Sequence, residues 1–338
     1  MPRVIRFHQF GPPDVLKVED QPVHEPGAGE VRIRVEAIGV SWNDALWRQD
    51  MAPLHARLPS GLGNELAGVI DAIGPDVTAF AVGDRVASFP GGHDVNIYPA
   101  YGEQMCMPVG SVARYPANLT PEEACVHYRG ALIGYFAYNY LATLQPGQNV
   151  LITNACHCSG PATLQLARQM GARVFATTDD SDDREFLSSL GADKVIVTEE
   201  EDIVGRVQRL TDGHGMDVVL DACGGPQMGL LGDVMAQRGK LILYGLMGGN
   251  QTPFPACAAF EKSLKFFVHC LHDFTGLTEM GIPRNEIAMR EALTYIDQLT
   301  TDRLFRTDID RTFRFEEVVE AHRYQESGPK RGRVVLKV

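Results

Sequence analysis

Between the apolar run Val150-Leu151-Ile152-Thr153 and the helix-forming stretch Pro161 to Ala167 lies a short turn, Asn154-Ala155-Cys156-His157-Cys158-Ser159-Gly160. A turn of small residues from a buried strand into a helix aims backbone N–H groups and a helix N-terminus at an anion. In the form G-x-G-x-x-G it receives the pyrophosphate of a dinucleotide. Ala155 and Gly160 fit the first and last glycine positions, with Cys158 and Ser159 completing the candidate contacts. His157 stands where the middle glycine is expected, either as an extra donor to phosphate or as bulk against it. A thiol at Cys158, near a helix N-terminus, also admits redox chemistry, which ranks below simple phosphate contact. Cys156, His157 and Cys158 offer too few ligands within a tight turn for a metal.

A second candidate contact lies after the next strand, at Thr177-Thr178-Asp179-Asp180-Ser181-Asp182-Asp183-Arg184. An acid here bonds a ribose 2′-hydroxyl, whereas this run of carboxylates repels a 2′-phosphate. Thr178 occupies the position of that acid, and Arg184 and Arg333 remain as phosphate partners. Acids at a helix start are also favoured by the helix dipole alone. Asp221-Ala222-Cys223-Gly224-Gly225 and Tyr244-Gly245-Leu246 place further small residues after later strands, where parallel sheets bind ligands.

The elements that must hold these residues follow from periodicity. Up to about Pro121 the chain reads as short strands broken by Gly and Pro: Val31 to Val35, Gly68 to Ile73 and Asp84 to Ala87. Beyond it apolar strands alternate with helical stretches. Asn149–Thr153, Arg173–Thr178, Val195–Val197, Val218–Asp221 and Leu241–Gly245 read as strands, and Pro161–Met170, Asp183–Leu190 and Ile203–Leu210 as helices. That alternation predicts βαβ units and a buried parallel sheet. The last residues, Arg333 to Val338, form a strand that rejoins the first part. The expected architecture is α/β: a Rossmann-type doubly wound sheet over 124–270, inserted in a discontinuous β-rich domain of residues 1–123 and 271–338.

With 338 residues, two domains are the natural prior. The 31 basic against 43 acidic residues give a net charge of -12, which disfavours nucleic acid and anionic membrane surfaces. No apolar run is long enough to cross a bilayer. Met1 to Phe10 lack the apolar core of a signal peptide, so a cytoplasmic location is expected. The seven cysteines include no CxxC pair and suit a reducing compartment.

Together with Gly63-Asn64-Glu65-Leu66-Ala67-Gly68, Gly83-Asp84-Arg85-Val86, Tyr101-Gly102-Glu103, Glu320-Ala321-His322-Arg323-Tyr324 and Gly332-Arg333-Val334-Val335, these motifs resemble the medium-chain dehydrogenase/reductase superfamily. Within it the chain is similar to the zinc-independent quinone oxidoreductase branch, almost end to end. The resemblance implies a GroES-like first domain and an NAD(P)H-dependent reductase passing hydride to a quinone or an α,β-unsaturated carbonyl compound. It also implies a homodimer acting on a small molecule. Zinc relatives carry Cys where Ser41 stands and His where Asn64 stands, and Tyr128 to Ile133 contains neither, so no zinc is expected.

Metal-free reduction needs a positioned cofactor and a donor to the acceptor oxygen. Ser41, Asn43 and Asn64 are the candidate donors, with a loop hydrogen bond as the competing role for each. Trp42, Trp47 and Tyr128 are candidate walls of a flat pocket, with core packing favoured for Trp47. Arg129 would meet an anionic substrate or a surface carboxylate. By resemblance Phe266, Phe267 and His269 lie near the nicotinamide. The acids at Asp179 to Asp183 lean to NAD and the family habit to NADP. An enoyl-type reductase of a biosynthetic pathway and a catalytically silent dinucleotide-binding protein are the alternatives.

Overall fold

The computed structural model describes residues 1–52, 54–328 and 330–338. Contacts gather the chain into two compact units, residues 1–129 with 271–338, and residues 130–270.

The first unit begins with a two-stranded sheet of β1 (Arg3–Arg6) and β2 (Lys17–Asp20). Next come β3 (Glu30–Val40), α1 (Trp42–Arg48), β4 (Leu66–Ile73), β5 (Arg85–Ser88), β6 (Gln104–Pro108), β7 (Val112–Arg114) and α2 (Pro121–Cys125). β3 alternates buried and accessible residues through Val35 and is buried from Ala37 onward, so one face is core and its carboxyl end is enclosed. α2 starts in a capping box: Glu123 N–H donates to Thr120 Oγ1 at 3.2 Å, and Thr120 N–H to the Glu123 carboxylate at 2.8 Å. It packs on β3, β4 and β15 (below), which places it with the first unit. α3 (His127–Phe136) follows at once, is buried at every residue and carries the chain from the first unit into the second.

The second unit carries β8 (Asn149–Ile152), α4 (Gly160–Gln169), β9 (Arg173–Thr178), α5 (Arg184–Ser189), β10 (Lys194–Val197), α6 (Ile203–Leu210), β11 (Met216–Asp221), α7 (Met228–Val234), β12 (Met235–Leu243), α8 (Ala256–Glu261) and β13 (Lys265–Val268). Its strands are all parallel in the order β10-β9-β8-β11-β12-β13. Counted from β8 this is 3-2-1-4-5-6, the doubly wound order of dinucleotide-binding sheets. β8 is buried at every residue because helices cover both faces.

The chain then returns to the first unit through α9 (His272–Thr275), α10 (Glu286–Thr301), β14 (Ile309–Arg314), α11 (Val318–Glu326) and β15 (Arg333–Lys337). β15 pairs antiparallel with β3, Val334 opposite Val40, and β4 pairs with the other edge of β3, Leu66 opposite Ile38. This register sets the amino ends of β15 and β4 beside the carboxyl end of β3. Among the described residues no helix is long and apolar enough to cross a membrane.

Candidate active site

On the first unit, strand register gathers charges that are far apart in sequence. Glu65 precedes β4, Arg333 opens β15, and Arg129 lies in the first turn of α3. Gly39 of β3 permits the approach of the end of α2, since a Cβ there would sit 2.7 Å from Val126 Cγ1 and 3.1 Å from Glu65 Cβ. The Glu65 carboxylate, 1% exposed, accepts from Arg129 Nε at 2.7 Å and Arg333 Nη2 at 2.6 Å, both at Oε2. Its Oε1 is buried without a partner. Burial alone pushes this carboxyl up, but the charges of Arg129 and Arg333 outweigh it and hold it below its usual range. Arg129 reaches further: its Nη2 donates to Asn64 Oδ1 at 2.6 Å.

Ser41 caps α1. Its N–H donates to the Asp44 carboxylate at 2.8 Å, and its buried hydroxyl finds no well-aligned partner. Asp44 also accepts from Tyr101 Oη at 3.1 Å. Burial raises the Asp44 carboxyl to about 6 against the pull of Arg129. Asn64 therefore touches Arg129 directly and Ser41 is linked to Asp44, whose carboxyl feels the charge of Arg129, while Asn43 is exposed on the first turn of α1.

Tyr128 is buried and donates to Asp297 Oδ1 of α10 at 2.9 Å and to the Arg114 carbonyl at 3.3 Å, which commits its hydroxyl to the core. Trp47 is core, bonded to the Gly61 carbonyl at 3.0 Å, and Trp42 is half-buried. Arg333, expected beside a phosphate, is instead the second cation on Glu65. Glu65 and Asp44 escape sequence reasoning, and Arg129, expected to meet an anionic substrate or a surface carboxylate, meets a buried carboxylate instead. A lone Arg in the apolar helix His127 to Phe136 was the available signal, because a buried guanidinium requires a partner.

On the second unit, the turn from Asn154 to Gly160 leaves β8 with left-handed residues at Asn154 (φ 49°) and Cys158 (φ 50°). It is tied to β9 by Ala155 N–H to the Thr177 carbonyl at 2.9 Å and Asn154 N–H to Thr177 Oγ1 at 3.0 Å. Gly160 permits the close strand–helix approach: a Cβ there would lie 2.3 Å from the Ala155 carbonyl oxygen. Ala155, His157 and Ser159 are buried and Cys158 is half-buried. His157 is thus packed away, only 7% exposed, and does not stand out from the turn.

Beside it, Asp221 at the end of β11 accepts from Thr153 Oγ1, from Gly224 N–H at 2.8 Å and from Cys223 N–H at 3.2 Å. Burial raises the Asp221 carboxyl against those bonds. Tyr244 follows β12 with its hydroxyl buried and unpartnered, Gly245 is half-buried and Leu246 is exposed. At the end of β9, Thr178 Oγ1 donates to Asp183 at 2.7 Å and Asp179 is exposed. Arg184 is engaged by Glu200, Glu201 and the Val195 carbonyl. Phe267 of β13 is half-buried, and His269 is buried with Nε2 on the Ile133 carbonyl at 3.1 Å. The tight turn, the close-packed Gly160 and the spare Tyr244 hydroxyl at the strand ends fit a dinucleotide. Among the described residues no three His, Cys, Asp or Glu side chains gather to hold a metal ion.

A family model for the alcohol dehydrogenase GroES-like domain matches residues 27–128, and one for zinc-binding dehydrogenases matches residues 190–336. The quinone oxidoreductase of Pseudomonas aeruginosa is 32% identical over 308 residues, covering 87% of this chain and 93% of that protein. The chain belongs to the medium-chain dehydrogenase/reductase superfamily, in its quinone oxidoreductase-like branch. Another member, the 2-haloacrylate reductase of a Burkholderia species, is 28% identical over 336 residues, 98% of this chain and 97% of that one. A mycobacterial structure complexed with NADPH superposes with a TM-score of 0.88 at 27% identity, covering 100% of both chains.

Proposed function

We propose that this chain is an NAD(P)H-dependent, metal-free reductase of quinones and α,β-unsaturated carbonyl compounds. The observation that carries the reading is the 3-2-1-4-5-6 sheet with its close-packed turn from Asn154 to Gly160. Ala155, Cys158, Ser159 and Gly160 would hold the pyrophosphate, with Thr177 to Asp179 at the ribose and Tyr244 to Leu246 and Phe267 toward the nicotinamide. Bound there, the dinucleotide supplies the hydride. Ser41 and Asn64 receive the acceptor oxygen, and the negative charge growing on it is met by their donors. A conjugated acceptor suits such modest donors because its charge is delocalised, and the P. aeruginosa and Burkholderia relatives are named for a quinone and an unsaturated acid.

The preference within the cofactor is read as NADH. Arg184 is spent on Glu200 and Glu201, Arg333 on Glu65, and Asp179 lies open at the end of β9. A homodimer is part of the same reading: β13 ends the six-stranded sheet, outside β12, and its Val268 is 63% exposed.

Fluorescence titration with NADH and NADPH separately, followed by an oxidation assay against a benzoquinone, an enone and a saturated ketone, tests the proposal. NADH should bind more tightly, and the quinone and enone should be consumed in the presence of a chelator while the ketone is not. Failure of both nucleotides to bind below millimolar concentration would sink it.

A further inference from the structure

Resting on the reading of Asn64 as a donor to the acceptor oxygen, we propose that Arg129 is a positioning residue that fixes the orientation and polarity of the Asn64 amide. A guanidinium has five N–H donors and no acceptor, so the atom of Asn64 that meets Arg129 Nη2 at 2.6 Å must be its carbonyl oxygen. The NH2 group is then the end turned away from Arg129, and the side chain offers only donors on that side. The backbone is held as firmly: Ser88 Oγ donates to the Asn64 carbonyl at 3.0 Å and accepts from Leu66 N–H at 2.9 Å. Arg129 is itself clamped by Glu65, 1% exposed, at 2.7 Å. Buried charge, fork geometry and strand register thus converge on one half-buried amide.

The consequence is chemical. A loose Asn presents oxygen or nitrogen with little preference, whereas this one presents N–H alone, with a positive charge behind its carbonyl that strengthens the donor. Such a group discriminates for an acceptor oxygen with lone pairs, and more so as that oxygen gains charge during reduction. Arg129 therefore acts through Asn64. Removing it leaves Glu65 still paired with Arg333 at 2.6 Å, which retains the buried carboxylate's counter-charge.

The test is a double-mutant cycle on the full chain with Asn64→Ala and Arg129→Gln, reading kcat and KM for a benzoquinone and the Kd for NADH. Arg129→Gln should lower kcat about 10–100-fold, by analogy with the partners that orient metal ligands, with the NADH Kd unchanged. In the Asn64→Ala background the same change should cost less than about twofold, since the group it acts through is gone. Asn64→Asp, which keeps a partner for Arg129 but turns an acceptor oxygen outward, should lose more activity than Asn64→Ala. An additive cycle, an unchanged kcat in Arg129→Gln, or an Asn64→Asp variant as active as the parent each overturns the proposal. Arg129→Lys, which keeps the charge beside Glu65, runs the same cycle if the glutamine variant does not fold. A parent protein that reduces neither quinone nor enone would defeat the functional reading itself, and this role with it. An active parent with an additive cycle defeats only the role of Arg129.

Discussion

Around Asn64 the first unit gathers ionisable side chains from distant stretches of chain and lets their charges hold one another, whereas the turn from Asn154 to Gly160 in the second unit is made of consecutive residues bonded largely through their backbone. Glu65 meets Arg129 and Arg333 across 64 and 268 residues of sequence. The turn is fixed instead by Ala155 and Asn154 on Thr177 and by the space that Gly160 leaves open. The contrast teaches that an arrangement held by buried charge is strong and sensitive to pH, whereas one held by backbone geometry depends little on pH and is intolerant of added atoms.

Removing Glu65 should break the comparison most sharply. Glu65→Ala leaves two buried guanidiniums without their carboxylate and should cost about 3–5 kcal/mol in urea unfolding. Any folded fraction should keep its NADH affinity, because the turn belongs to the other unit.

A somewhat smaller effect is expected at Asp44, whose carboxyl rises from 3.8 to about 6 through burial. The folded chain there holds a proton that the unfolded chain has released. This group's stabilisation is therefore complete below 3.8 and is lost as pH rises toward about 6. The span is roughly 3 kcal/mol. Asp44→Asn keeps an acceptor for Ser41 N–H and Tyr101 Oη, so it should flatten that part of the stability–pH curve and gain on the parent at pH 7. An unchanged curve would mean that the Asp44 carboxyl is not buried in solution.

Smallest should be the effect at the turn. In Gly160→Ala the new methyl meets the Ala155 carbonyl oxygen, so the turn must shift at a cost of about 1–3 kcal/mol. NADH affinity should fall with little change in pH dependence. Retained affinity would show that the turn is not the phosphate cradle.

The turn, the alternation of strands and helices after Pro121 and the acids after β9 were all legible because each is local: composition over a few residues carries the signal. Helix and strand positions such as Ile203–Leu210 and Arg173–Thr178 coincide with the expectation for the same reason, a strong period within one element. The first site was legible only in part. Ser41 and Asn64 stood out as polar residues in loops, but Tyr128, an aromatic among apolar neighbours, turned out to serve the core through Asp297. Spacing along the chain could not distinguish a hydroxyl facing a pocket from one facing α10.

The sequence by itself determined the parallel sheet, the kind of ligand its strand ends suit and the lack of metal-ligand residue types at Ser41 and Asn64, since residue type and short-range period suffice for these. Tertiary structure alone decided that Arg333 and Arg129 share Glu65 and that Asn64 shows its N–H side. Those outcomes depend on the register of β15 and β4 against β3 and on the close seat of the end of α2 at Gly39, just before Arg129. Ion pairing reaches only a few ångströms, so which charges meet is settled by how strands line up across the fold.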